Sequence, residues 1–310
     1  MSMRGLLRVG EVALRVFDID EAREHYGKRI GLIETYSGEP DTLYFKGADE
    51  HDWYSLVLRR ADAPGIDYFA FKVYDDATLD HFEKELTDWG ITVEHVEAGV
   101  YPKSGRRLQF LLPSGHTMQL YAHKEQIGNG MPTRNPGTIP DEGYIRGMRV
   151  VRLDHLLLGS NEIVANKEIF TKIFGFGVSE ELISHEDETK LAIFLSCSTK
   201  PHDIAFVLQP EPNRFHHCSF LLDSVNDLYH AADLIGKYDI AVDISPNRHG
   251  VTRGATIYFF DPSGNRNEVF TGGYVYYPDN PTLVWDTTQL GRATFSHDNT
   301  PRESFLSVLT

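Results

Sequence analysis

Three side chains in the second half of the chain could do metal chemistry together: His155, His217 and Glu268. Each stands in an apolar run with strand character: HLLLG, RFHHCSF and NRNEVF. Two imidazoles and one carboxylate are the donor set of a non-haem Fe(II) centre that keeps positions open on one face. A lone buried histidine is ordinarily a satisfied core residue, so the three must be weighed together. The chain supplies its own comparison, because it repeats.

The segment Arg8-Val9-Gly10-Glu11 opens an apolar run followed by DIDEAREHYGKRIGL, and Arg152-Leu153-Asp154-His155 opens one followed by NEIVANKEIFTKIFGF. Both read as a strand and then a helix, with Asp or Asn near the helix start and Gly31 or Gly175 at its end. A second unit also recurs. Gly65-Ile66-Asp67-Tyr68 leads to an acidic helix and then RRLQFLLPSGHTMQLY, whereas Arg214-Phe215-His216-His217 leads to another and then ATIYFFDPSGNRNEVF. A Pro-Ser-Gly turn joins two alternating apolar strands at Pro113–Gly115 and again at Pro262–Gly264. At matched positions the first half carries Glu11, Tyr68 and Gln119, where the second carries His155, His217 and Glu268. The scaffold is common to both halves, so it does not by itself demand two histidines and a glutamate. His216 competes with His217 for the second ligand position. Strand side chains alternate faces, so only one should point at a metal. The pattern shared with His155 selects His217, and His216 is expected to face the opposite way in a structural role.

These repeats predict an α+β fold of two domains, each of two βαβββ modules forming a half-closed barrel around a funnel. The expected division is 1–124 for an N-terminal domain without metal and 125–150 for a linker rich in Gly, Pro and Asn. The catalytic domain is expected over 151–272, and a C-terminal extension closing the site over 273–310. A chain of 310 residues with 41% hydrophobic content can bury cores of that size. The formal net charge of −15 repels a phosphate backbone and argues against nucleic acid as a partner. Cys197 and Cys218 sit in apolar runs and read as buried free thiols rather than a disulfide framework. No run approaches the ~18 to 20 apolar residues of a membrane helix, and the first residues are too charged for a signal peptide, so a cytoplasmic protein is expected.

The third ligand lies in a long motif, Asn247-Arg248-His249-GVTRGAT-Ile257-Tyr258-FF-Asp261-Pro262-Ser263-Gly264-NRN-Glu268. This resembles the signature of the type I extradiol dioxygenases of the vicinal oxygen chelate superfamily. STKPHDIAF, RFHHCSF and the terminal FLSVLT resemble the catechol 2,3-dioxygenase branch of that family. The likeness spans nearly the whole chain and is most specific after Arg152. It implies Fe(II) on His155, His217 and Glu268, with His202, His249 and Tyr258 as catalytic donors around it. By similarity, Phe194, Val207, Val251 and Phe305 are nominated for the apolar side of a substrate pocket. The resemblance further implies a homotetramer that opens catechol, or alkyl- and halo-substituted catechols, with O₂ to 2-hydroxymuconate semialdehyde in aromatic compound degradation. His249 and Tyr258 would serve the substrate oxygens, and His202 the dioxygen.

Two other readings share the scaffold. A lyase or isomerase of the glyoxalase kind would want a further carboxylate ligand and Zn²⁺ or Ni²⁺. A non-catalytic small-molecule binding protein would have no need of three ligands.

Overall fold

The computed structural model describes residues 5–36 and 38–310. Four βαβββ modules follow one another. The first is β1 (Leu6–Val16), helix α1 (Ile19–Ala22, continuing as a π-helical stretch over Arg23–Ile30), β2 (Ile33–Tyr36), β3 (Thr42–Lys46) and β4 (Leu56–Arg60). The second is β5 (Gly65–Val73), α2 (Asp76–Asp88), β6 (Glu94–Val96), β7 (Arg107–Leu111) and β8 (Thr117–Tyr121). The third is β9 (Arg152–Ser160), α3 (Ile163–Lys172), β10 (Gly177–Ile183), β11 (Lys190–Ser196) and β12 (Ile204–Leu208). The fourth is β13 (Arg214–Leu221), α4 (Val225–Lys237), β14 (Val242–Arg248), β15 (Gly254–Phe260) and β16 (Arg266–Gly272). A short strand β17 (Leu283–Asp286) and helices α5 (Leu290–Thr294) and α6 (Glu303–Ser307) complete the chain.

The predicted α+β architecture of paired βαβββ modules is what forms. The first sheet runs β2-β3-β4-β1-β5-β8-β7-β6. The second runs β10-β11-β12-β9-β13-β16-β15-β14, with β17 added beside β10. Local sequence explains the joints. Asp18, Asp75 and Ser224 accept backbone N–H groups at the starts of α1, α2 and α4. Gly31 ends the first helix at φ +97°, where a side chain would be strained. Gly115 and Gly264 take positive φ in the two Pro-Ser-Gly hairpin turns.

Each of those turns docks on the opposite half. Ser263 Oγ accepts from Phe17 N at 2.9 Å, Asn265 Oδ1 accepts from Gly65 N at 2.8 Å, and the Tyr26 hydroxyl donates to Asp261 at 2.9 Å. Reciprocally, Ser114 O accepts from Asn213 N at 2.8 Å, and His116 Nε2 donates to Arg214 O at 3.0 Å. Buried Phe71, Phe170, Phe176 and Phe206 fill the space between the halves with edge-on ring contacts.

Register carries the repeat into space. Ala70 on β5 pairs with Glu11 on one side and Gln119 on the other. Ser219 on β13 pairs likewise with His155 and Glu268. Tyr68 and His217 each stand two residues earlier on the central strand, on the same face. In the first half the three residues meet in a buried ionic cluster. The Tyr68 hydroxyl donates to Glu11, whose carboxylate also accepts from Arg107 at 3.0 Å and Lys124 at 2.5 Å. Arg107 reaches Gln119 Oε1 at 2.8 Å, and the two cations lie over the Tyr101 and Tyr54 rings. Burial alone would raise the Glu11 carboxyl, but Arg107 and Lys124 outweigh it and hold it at about 2.

A Glu11→Gln variant strands two buried cations and should lose about 3–5 kcal/mol of stability at neutral pH. The folded carboxyl is depressed below its ordinary 4.5, so its contribution is complete above that value and fades as pH falls through about 2. Denaturant melts of wild type and variant should therefore converge as pH drops across that window. A stability gap that ignores pH would show that the cluster acts by packing rather than by charge.

Candidate metal centre

Strands β9, β13 and β16 are three adjacent strands of the second sheet, and the pairing at Ser219 brings their side chains to one spot. One donor atom each from His155, His217 and Glu268 lies within 4.8 Å of the others, and all three residues are buried. His155 Nε2 stands 2.9 Å from Glu268 Oε2, and His217 Nε2 stands 3.4 Å from it. Yet Oε2 is buried without a partner in hydrogen-bonding geometry. A charged oxygen left so would be costly, unless a cation sits among the three atoms.

The outer nitrogens show that both imidazoles are prepared to be ligands. Asp154 accepts from His155 Nδ1 at 3.1 Å. Burial opposes charge on this ring, but Glu268 and Asp154 outweigh it and raise it to about 9. Without a metal its Nε2 proton therefore faces Glu268, and an ion binding there would displace that proton while Asp154 keeps the one on Nδ1. The Phe305 carbonyl can only accept, so His216 Nε2, at 2.7 Å, is its donor. His216 Nδ1 is then an acceptor, and the nitrogen 2.7 Å away, His217 Nδ1, must be the donor. That leaves the His217 Nε2 lone pair facing the centre. The other carboxylate oxygen, Glu268 Oε1, accepts from the Thr256 hydroxyl. Burial holds His217 down at about 4, so it is a neutral imidazole at neutral pH. Burial opposes charge on Glu268 too, but the neighbouring imidazoles, His155 first, hold its carboxyl well below the usual range. The donor set fits a divalent cation.

His216 departs from the sequence expectation. It does not turn to the opposite face. The β13–β9 register shifts between Phe215 and His217, and this bulge sets the two imidazoles side by side with centroids 4.9 Å apart.

Every other nominated residue reaches the same cavity of about 150 Å³. His202 packs its ring on His155 at 4.1 Å between centroids and edge-on to Phe194 at 5.3 Å. Burial pushes His202 well below the ordinary histidine range, so it is neutral. On the far side of the ligands, Tyr258 packs against His217, and its hydroxyl lies 2.8 Å from His249 Nε2. His249 Nδ1 donates to the Thr294 carbonyl, which leaves Nε2 as the acceptor for Tyr258. Phe194, Val207 and Val251 line the apolar wall with Leu157, Leu182 and Ala293. Phe305 closes over Tyr258 and His216 at 4.8 and 4.7 Å. A cavity of this size and lining accepts one benzene-sized ring.

Sequence reasoning missed Asp154, Thr256 and the tautomer role of His216. Asp154 had a signal in its adjacency to His155, but strict strand alternation points it elsewhere. Leu290, Ala293 and Thr294 also border the cavity from α5, which has no counterpart in the repeat to flag it.

Comparison with known proteins gives the family. The family described as "Catechol 2,3-dioxygenase-like N-terminal domain" matches residues 66–125, and "Glyoxalase/Bleomycin resistance protein/Dioxygenase superfamily" matches residues 152–269. The chain is 46% identical to a metapyrocatechase of Pseudomonas sp. (strain CF600) over 99% of both chains. It is 25% identical to a manganese-dependent 2,3-dihydroxybiphenyl 1,2-dioxygenase of Geobacillus genomosp. 3, covering 92% of this chain and 91% of that one. The crystal structure of the 2,3-dioxygenase LapB from Pseudomonas sp. KL28 superposes with a TM-score of 0.90 at 43% identity, covering 93% of this chain and 99% of that one. The chain belongs to the catechol 2,3-dioxygenase (metapyrocatechase) family, the extradiol dioxygenases of the vicinal oxygen chelate superfamily.

Proposed function

We propose that this protein opens catechols by extradiol cleavage with O₂ at an Fe(II) ion held by His155, His217 and Glu268. The observation that carries the proposal is the buried Glu268 oxygen, without a hydrogen bond, between the Nε2 atoms of two imidazoles at the polar end of an aromatic-sized cavity. Catechol yields 2-hydroxymuconate semialdehyde, and alkyl- or halo-substituted catechols are accepted along the apolar wall. One carboxylate and two imidazoles suit Fe(II), and a relative named as manganese-dependent makes the metal a matter for measurement. The ion supplies the redox link between an electron-rich ring and dioxygen.

The chain's own residues handle protons and orientation. A catechol held at such an ion would have a phenolic proton to give up. Tyr258 and His249 stand together on the His217 side, where His249 Nε2 can take a proton through the Tyr258 hydroxyl and later return it. His202 stands on the His155 side, placed to donate to dioxygen as negative charge develops there. Leu157, Leu182, Phe194, Val251 and Phe305 exclude water and hold the ring flat against the polar groups. A metal-free binding protein would have no use for the tautomer chain behind His217. The glyoxalase kind of chemistry wants a second carboxylate at the metal, whereas the described ligand group has one.

The proposal includes the expected division of labour along the chain: 1–124 for assembly, 125–150 as linker, 151–272 for catalysis and 273–310 for closure. It also includes a cytoplasmic homotetramer. Among the described residues, no helix is long and apolar enough to cross a membrane. Sedimentation equilibrium at the homotetramer mass is the check on assembly, and a monomer would remove it.

Metal analysis tests the centre. One Fe per chain is expected, and His155→Ala, His217→Ala and Glu268→Ala should each lose it while near-ultraviolet circular dichroism is retained. His216→Ala should bind iron about 10- to 100-fold more weakly, as loss of an outer partner to a ligand does. Zinc in the purified protein, with no oxygen uptake on catechol, would reverse the assignment in favour of a lyase.

His202 and His249 serve different steps. His202→Phe should bind catechol anaerobically with near-normal affinity and be slow only once O₂ is admitted, by about 10² to 10³. His249→Ala should weaken the anaerobic titration as well. The opposite pattern, at matched iron content, would exchange the two roles.

A further inference from the structure

Glu180 on β10 lies outside the ligand set and is 1% exposed. Its carboxylate gathers three neutral donors from three separate segments. Oε1 accepts from Thr252 N at 2.6 Å and from the Tyr274 hydroxyl at 3.0 Å, and Oε2 accepts from Trp285 Nε1 at 2.7 Å. Burial pushes this carboxyl above its ordinary range, so burying it opposes charge, and the three donors offset that cost.

The Thr252 contact is the informative one. Thr252 and Arg253 have φ of +56° and +61°. A β-branched residue in the left-handed region is a genuine outlier, and such strain persists only where the surroundings over-determine it. The same turn carries His249 and Val251 into the cavity. Its backbone is gripped from the other side by α5, where Ala293 O accepts from Gly250 N at 3.1 Å and Val251 N at 3.0 Å. A Cβ on Gly250 would meet Arg292 O at 2.2 Å, so the two backbones are already in contact. Tyr274 N donates back to Thr252 O at 3.2 Å.

We infer that Glu180 is a positioning residue: it holds Thr252 in the left-handed conformation and so sets His249 and Val251 against the substrate cavity. The inference rests on reading His249 as a substrate-side group. Glu180 reaches no ligand of the metal centre in this arrangement, so its effect should fall on turnover and substrate binding, not on metal content. It also couples that turn to β17 through Trp285, which makes the C-terminal region and the His249 turn a single packed unit.

Glycine takes a positive φ at no steric cost. If Glu180 acts by holding Thr252 there, Thr252→Gly should make the clamp largely dispensable. The experiment compares steady-state kinetics on catechol for Glu180→Ala, Glu180→Ala/Thr252→Gly and His249→Ala at matched iron content. Glu180→Ala should keep its metal and lose about 10- to 10²-fold in kcat/KM, the scale of a displaced catalytic group. The double variant should recover most of that loss. Glu180→Met, which keeps nearly the same shape and removes both acceptor oxygens, carries the same comparison if the alanine variant fails to fold. A Glu180 variant with wild-type kinetics overturns the inference, and so does a loss that Thr252→Gly does not recover, since a merely structural carboxylate would behave that way. Normal turnover by His249→Ala would instead overturn the reading of His249 on which the inference stands.

Discussion

A carboxylate buried at the middle of a sheet sets the terms for the rest of this structure. Glu268 has lost its hydration, and one of its oxygens has no hydrogen bond. Two imidazoles turn their Nε2 atoms toward the same spot, and the positive charge the carboxylate needs there comes from a protonated His155 or from a metal ion that would take that proton's place. Each of the three side chains is in turn held from outside. Asp154 can only accept from His155, Phe305 O can only accept from His216, and Thr256 donates to Glu268. The centre is therefore organised by the fold's hydrogen bonds before any ion arrives, and affinity is not spent on turning rings.

The first half solves the same electrostatic problem by other means. Glu11 occupies the place of His155 and is equally buried, but Arg107 and Lys124 neutralise it from within the chain. Arg107 stands twelve residues before Gln119, as Thr256 stands before Glu268. A guanidinium at that position fills the interior and reaches the carboxylate, whereas threonine leaves room and offers one hydroxyl. The two halves thus share backbone and register and differ in what supplies positive charge. A fixed cation gives stability alone, whereas a metal ion held by the second half would leave positions free for substrate.

Much of this was legible in the sequence. The module pattern and the Pro-Ser-Gly turns follow from periodicity, and matched positions together with the family resemblance single out His155, His217 and Glu268, which the fold brings together. What was not legible depends on exceptions to periodicity or on backbone atoms. Alternation places His216 on the wrong face, because a bulge is not written in the RFHHCSF pattern. The first helix reads as an ordinary one, yet it widens to a π-helical stretch around Tyr26, whose hydroxyl is engaged across the halves with Asp261. Glu180 reads as one polar residue in the strand GVSEELI, and nothing nearby in sequence announces that its partners are Thr252, Tyr274 and Trp285. Long-range donors to a buried acceptor leave no local signature.

The C-terminal residues show how such long-range bonds join separate parts of the site. Phe305 contributes twice: its ring covers Tyr258, and its carbonyl fixes His216 and through it the His217 tautomer. Thr294 contributes a carbonyl to His249 Nδ1, which fixes that ring with Nε2 toward Tyr258. Thr310 pairs its backbone with Phe215, beside the bulge that sets both histidines of β13. One wall of the cavity, the His217 tautomer and the orientation of His249 therefore all rest on C-terminal residues. Displacing that segment would open the apolar wall, release His249 and loosen His217 together, so access to the cavity and competence of the centre are coupled by the chain itself.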